Sequence, residues 1–217
     1  ALSYFWQRKI RWRESYTWLA PTLAHVQTLP LALRLANLMN LHGYWLMGST
    51  LAVESYANEV AALAQECNAT ALCAHALFVI SLSRREAGQS AAMNAQAIGL
   101  LRQAAQAEPL PAEFCLYSDT PCFLAFLLAR QGRMLCDAGD YAQATSCFRE
   151  SLAIFRAIND RNLIFQPLGN LGYLALKQGD LAQAYPLIQE AAEIAQTVGD
   201  TLGIFEWQPL LALLKLY

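Results

Sequence analysis

The sequence predicts an all-α protein, an α-solenoid of about five stacked helix hairpins followed by a sixth helix A, and three observations carry that expectation. Glycines recur at a long period: Gly48, Gly88, Gly139 and Gly179 stand 40, 51 and 40 residues apart, each closing one apolar helical pattern just before the next begins. The two best copies align without a gap, Gly132 through Ala138-Gly139-Asp140-Tyr141-Ala142-Gln143-Ala144 on Gly172 through Gln178-Gly179-Asp180-Leu181-Ala182-Gln183-Ala184. Composition agrees, since 56% of the 217 residues are apolar and only 15% charged, against a usual charged share of roughly 25%. That balance suits helices whose two faces both pack.

The hairpins are expected over residues 1–29, 30–67, 68–107, 121–159 and 160–199, as one repeat array spanning 1–217. The first two are marked by Glu14-Ser15-Tyr16, which returns forty residues later as Glu54-Ser55-Tyr56. In the second, Gly48 ends helix A, and Ser49 or Thr50 caps helix B. In the third, Gly88 takes the turn and Gln89 or Ser90 the cap, while Ser81 and Met93 stand where the better copies carry small residues. An insertion at 108–120 follows, broken by Glu108-Pro109-Leu110-Pro111 and by Ser118-Asp119-Thr120-Pro121.

The fourth and fifth hairpins show the local logic best. Gly139 and Gly179 supply the left-handed residue that ends helix A. Asp140 and Asp180 then accept from the free N–H groups that open helix B, where a negative charge also suits the helix dipole. Asp160 and Asp200 are placed to start the next helix A in the same way. Ala144 and Ala184, with Phe148 and Ile188 four residues on, put small and large side chains on one face of helix B. Pro167, Pro186 and Pro209 fall where helices should run, so those helices are expected to kink or begin late. Residues 200–217 form a half repeat. A lone hairpin cannot bury both its faces, so neighbouring pairs must supply the stability.

Several function classes are excluded. No apolar run reaches the ~18 residues a membrane span needs, and the net charge of −2 favours neither nucleic acid nor membrane. The basic cluster Arg8, Lys9, Arg11 and Arg13 reads as a solvated face beside the inward-packing Trp6 and Trp12. The six cysteines form no CxxC pair and sit in apolar stretches, which points to a reducing cytoplasm rather than a disulfide framework. Cys67, Cys73 and His75 fit no zinc spacing, so no metal or other cofactor is expected. No phosphate loop, nucleophile elbow or carboxylate pair occurs, and the chain is read as no enzyme. It opens without a signal sequence, as Ala1-Leu2-Ser3-Tyr4-Phe5-Trp6, and both ends read as cut from a larger array. Exposed apolar ends (Tyr4, Phe5, Trp6; Leu214, Leu216, Tyr217) would then favour end-to-end self-association.

The pattern Leu171-Gly172…Gly179-Asp180…Ala184 resembles the tetratricopeptide (TPR) repeat, and the likeness covers nearly all of the chain. More narrowly, Phe5-Trp6-Gln7-Arg8…Trp12-Arg13-Glu14-Ser15…Trp18-Leu19 and Glu150-Ser151-Leu152-Ala153…Asn159-Asp160 are similar to the repeat arrays of bacterial STAND-type regulators, LuxR-like and antibiotic-regulator-like. The TPR resemblance implies a right-handed superhelix whose helices A line a concave groove. It places His42, Trp45, His75, Phe78, Arg85, Phe126, Arg130, Arg133, Gln166, Asn170, Tyr173 and Glu206 toward that groove. Arg130, Arg133 and Asn170 suit a carboxylate or phosphate, with Phe78, Phe126 and Tyr173 giving apolar contact. The STAND-like resemblance implies a sensing or interaction region of a transcriptional regulator whose ATPase and DNA-binding domains lie elsewhere. Its groove would take a protein or peptide partner, or a small effector. The alternative is a passive TPR scaffold unrelated to transcription.

Overall fold

The computed structural model describes residues 58–59, 61–62, 70–83, 87–104, 120–159 and 163–216. Among these residues every regular element is a helix. Seven helices are bounded among them: α1 Thr70–Ser83, α2 Ala87–Ala104, α3 Thr120–Asp137, α4 Tyr141–Ala157, α5 Phe165–Lys177, α6 Leu181–Val198 and α7 Thr201–Leu214. The chain divides into two compact units, Ala1–Phe123 and Leu124–Tyr217. Apart from the helical residues 58–59 and 61–62, the first two hairpins of the sequence, with Gly48, lie outside the described residues, as does the insertion except for Thr120, which begins α3.

In the first unit α1 and α2 pack as a pair around Ala74, Ala76, Ala97 and Leu101, all at 0% exposure. The turn between them departs from expectation. Gly88 does not close helix A, because α1 already ends at Ser83 and α2 begins at Ala87. Gly88 therefore sits inside the first turn of α2, and it is not among the positive-φ glycines. Ser90 does not cap the helix either. Its hydroxyl donates to Ser81 O at 2.8 Å, while Ser81 Oγ donates to Phe78 O at 2.6 Å. The Ser90 hydroxyl ties α2 back onto the last turn of α1, at Ser81, which stands where the better copies have Gly132 and Gly172.

The second unit follows the repeat logic closely. Gly139 and Gly179 have φ of +86° and +79°, the left-handed conformation that an L side chain resists. Asp140 N then donates to Leu135 O and Asp180 N to Ala175 O, both at 2.9 Å, closing the last turns of α3 and α5. Each aspartate caps the following helix, Asp140 accepting from Gln143 N at 3.1 Å and Asp180 from Gln183 N at 3.0 Å. Gly199 ends α6 at φ +68°, and Asp200 opens α7 by accepting from Gly203 N at 2.9 Å.

The start of α5 differs. Asn159 is left-handed (φ 53°), but α5 begins only at Phe165, with Ile164 in the N-cap position and no side-chain cap; Asp160 lies outside the described residues. The late start puts Pro167 in the first turn, where its missing N–H costs no helix bond. Pro186 and Pro209 stand inside α6 and α7.

Close contact between helices rests on small residues. Ala144 and Ala184 are at 0% exposure, and so are Phe148 and Ile188. A Cβ on Gly132 would meet Phe148 Cε1 at 2.5 Å, and one on Gly172 would meet Ile188 Cγ1 at 2.6 Å. Those glycines are the seats for the large residue of helix B, sixteen positions later in both copies. Ser151 Oγ donates to Ala125 O at 2.7 Å, a further tie between α4 and α3. One core joins Phe165, Leu168, Ile188, Ala191, Trp207, Leu211 and Leu214 from α5, α6 and α7. Leu214 is thus buried rather than part of an exposed end, because its helical period aligns it with Trp207 and Leu211; Leu216 is exposed, and Tyr217 lies outside the described residues.

Candidate functional site

Helices A of the second unit are α3, α5 and α7, and corresponding positions on them are forty residues apart. Phe126, Gln166 and Glu206 are one such set, Arg130 and Asn170 another, Arg133 and Tyr173 a third. Repetition of one helix orientation brings one face of each helix to one side of the stack, as a solenoid requires. The outcome is a cavity of about 280 Å³ lined by Phe126, Ala129, Arg130 and Arg133 of α3, Phe165, Gln166 and Asn170 of α5, and Leu202, Gly203, Glu206 and Trp207 of α7, with Asp200 at the α7 N-cap.

Arg133 is the hub of this wall. Its Nη1 donates to Asn170 Oδ1 at 3.0 Å and to Glu206 Oε1 at 2.9 Å, so one guanidinium nitrogen links three helices. The guanidinium carbon stands 4.2 Å from the centroid of the Tyr173 ring, a cation–π contact that also fixes the plane of the fork. Asp137 lies one turn along α3, at 4.0 Å from Arg133 Nε. The Arg133–Glu206 pair is only partly shielded, with side chains 33% and 45% exposed, so it remains open to competition from a ligand. Lys177 stacks on the same Tyr173 at 5.3 Å, and hydrogen bonding to Tyr173, with the attraction of that group, raises its pKa.

The apolar part of the wall comes from Phe126, Phe165, Leu202 and Trp207. Trp207 is 1% exposed and rests on Gly169, where a Cβ would come within 2.6 Å of Cζ2. Phe165 similarly rests on Gly203, where a Cβ would come within 2.5 Å of Cε2. The indole Nε1 of Trp207 is buried with no hydrogen-bond partner, an uncommon state for an N–H donor in a protein interior.

Of the groove residues expected from the sequence, the structure therefore gathers Phe126, Arg130, Arg133, Gln166, Asn170 and Glu206 around one cavity. Tyr173 stands behind it, under Arg133, rather than in its lining. His75 and Phe78 belong to the first unit and are not in the lining of this cavity. They are 2% and 3% exposed and pack with Phe123, at 5.5 Å from His75 and 5.7 Å from Phe78 between ring centroids. Phe78 meets Phe123 edge to face and His75 meets it at a tilt. His42, Trp45 and Arg85 lie outside the described residues. Phe165 and Trp207 escaped the sequence reading because both have the pattern of ordinary core residues. Translation by forty residues takes Trp207 to Pro167, which gives no hint of an aromatic wall.

A family model described as tetratricopeptide repeat matches residues 123–197, the stretch holding α4, α5, most of α3 and nearly all of α6. No curated protein matches the chain. Among solved structures, a Rap protein complexed with competence and sporulation factor is similar with a TM-score of 0.67 and 15% identity. That likeness covers 95% of this chain and 58% of the Rap chain, so this chain spans little more than half its length. BtubC (BKLC) from P. vanneervenii is similar with a TM-score of 0.62 and 14% identity, over 88% of this chain and 73% of that one. Identities this low speak for the fold, a TPR-like helical solenoid. No helix among the described residues is long and apolar enough to cross a membrane.

Proposed function

We propose that the chain is a non-catalytic recognition module that binds a peptide segment of a partner in the cavity between α3, α5 and α7. The observation carrying this reading is the convergence of Arg130, Arg133, Gln166, Asn170 and Glu206 with four apolar side chains around one opening. A few polar groups that fix orientation, set among apolar ones that supply contact, are the usual makings of a binding site. At about 280 Å³ the cavity falls at the lower edge of the roughly 300–1,000 Å³ of small-molecule sites, which suits a short stretch of peptide better than a large cofactor. The tetratricopeptide match and the Rap protein's complex with competence and sporulation factor lend support by likeness. A role in the regulatory region of a larger transcriptional regulator draws on the sequence's resemblance to STAND-type arrays alone. A passive scaffold would use the same cavity without altering an attached activity.

The test is a display selection of peptides against the intact chain, followed by calorimetric titration of the best binder against wild type and Asn170→Ala. Saturable binding that the variant weakens at least tenfold, the loss of about 1.4 kcal/mol, is the expected result. Equal affinity for both proteins, or no saturable binding, would overturn the proposal.

A further inference from the structure

The cavity's charges are sorted by helix. α3 contributes the cations Arg130 and Arg133, and the start of α7 contributes the carboxylates of Asp200 and Glu206. The amides of Gln166 and Asn170 on α5 lie between them in the repeat. Resting on the recognition reading above, we propose that the preferred ligand is a peptide carrying an acidic and a basic group within a few residues of each other, the acid seated on the α3 side and the base on the α7 side.

Arg133 Nη1 is shared between Asn170 and Glu206. A ligand carboxylate that takes Arg133 Nη1 competes with Glu206 for it, and a carboxylate alone leaves Glu206 beside a second negative charge. An ammonium or guanidinium that takes Glu206 leaves Arg133 in the converse position. Exchanging partners keeps both charges compensated, whereas displacing one partner leaves the other facing only water, and charge complementarity of this kind sets specificity more than affinity. A ligand with both signs exchanges partners: its acid replaces Glu206 on Arg133, and its base replaces Arg133 on Glu206. Total charge in the cavity is unchanged.

Phe126, Phe165 and Leu202 provide apolar contact for the residues between the two charges. In this scheme Glu206 is a specificity residue: it screens Arg133 against purely acidic peptides.

The experiment is selection from a randomised octapeptide display library on three proteins, wild type, Glu206→Gln and Arg133→Gln. Both substitutions are conservative and fall on partly exposed side chains, and thermal melts are to check that each variant folds. Peptides enriched on wild type should carry both an acid and a base. Glu206→Gln should drop the need for the base and bind all-acidic peptides about tenfold more tightly than wild type does. Arg133→Gln should drop the need for the acid. Wild-type peptides of a single sign or none, or an unaltered charge pattern on Glu206→Gln, would overturn the proposal while leaving a peptide site intact. An empty selection would overturn the recognition reading itself, and this proposal with it.

Discussion

Arg133 and Glu206 form a 2.9 Å ion pair although 73 residues separate them in the sequence. Their distance along the chain is nearly two repeats, so the pair bridges α3 and α7 past α5. Such a bridge is more informative about recognition than about stability. With side chains 33% and 45% exposed, water competes for both partners. Glu206→Ala should lower unfolding free energy by about 0–1 kcal/mol. Arg133→Ala should cost about 1–2 kcal/mol, because it also removes the Asn170 hydrogen bond and the Tyr173 stack. Urea denaturation of the two variants checks the order.

Gly169 and Gly99 should respond in opposite ways to the same methyl group. A Cβ at Gly169 falls within 2.6 Å of Trp207 Cζ2, and a rigid indole has no soft end to yield. Gly169→Ala is therefore expected to destabilise by roughly 1–3 kcal/mol and to shift Trp207 fluorescence. Gly99 lies in α2 with nothing within 4 Å of the added carbon. There the alanine should stabilise by about 0.5–1 kcal/mol through helix propensity. Melts of both variants decide it.

Ala144→Leu and Ala184→Leu should each cost about 1–3 kcal/mol, since both sites are at 0% exposure in the first turn of helix B, facing helix A. An unchanged midpoint in thermal unfolding would place the repeat register elsewhere.

Cysteine chemistry offers a check on the non-catalytic reading. Burial pushes the Cys136 thiol up from its ordinary pKa, and the neighbouring Asp137 adds to the shift. Burial raises Cys73 as well. A raised pKa means less thiolate at any pH below it, hence a slower nucleophile. Peptide-resolved maleimide labelling at neutral pH should find Cys136 nearly inert in the native protein and reactive after denaturation. Rapid native labelling would instead mark an activated thiol.

The parts of the fold that were legible in the sequence are those set by short-range chemistry or by repetition. Gly139-Asp140 and Gly179-Asp180 announce themselves, because a left-handed turn followed by a side-chain cap needs those residue types at adjacent positions. Phe126, Arg130, Arg133, Gln166, Asn170 and Glu206 could be gathered because translation by forty residues carries one helix face onto the next. Gly88 misled, since a glycine in a helix's first turn looks the same in sequence as one that ends a helix. The start of α5 was missed for a related reason: Asn159 takes the left-handed turn, yet the chain needs further residues before Phe165 to set the next helix. The TPR resemblance also places His75 and Phe78 toward a groove. In the first unit, aromatic packing with Phe123 claims them. Trp207 was hidden because its role depends on the absence of a side chain at Gly169, thirty-eight residues earlier.

Peptide binding in the cavity is tested by fluorine NMR of the chain labelled with 5-fluorotryptophan, titrated with its best selected peptide. The sequence holds five tryptophans, and Trp207→Phe identifies the resonance that belongs to the cavity wall. The Trp207 resonance should shift saturably, with the affinity found by calorimetry, and Arg133→Gln and Asn170→Ala should weaken that response. Calorimetric binding that leaves the Trp207 resonance in place would contradict that reading, because the partner would then be held somewhere other than the cavity between α3, α5 and α7.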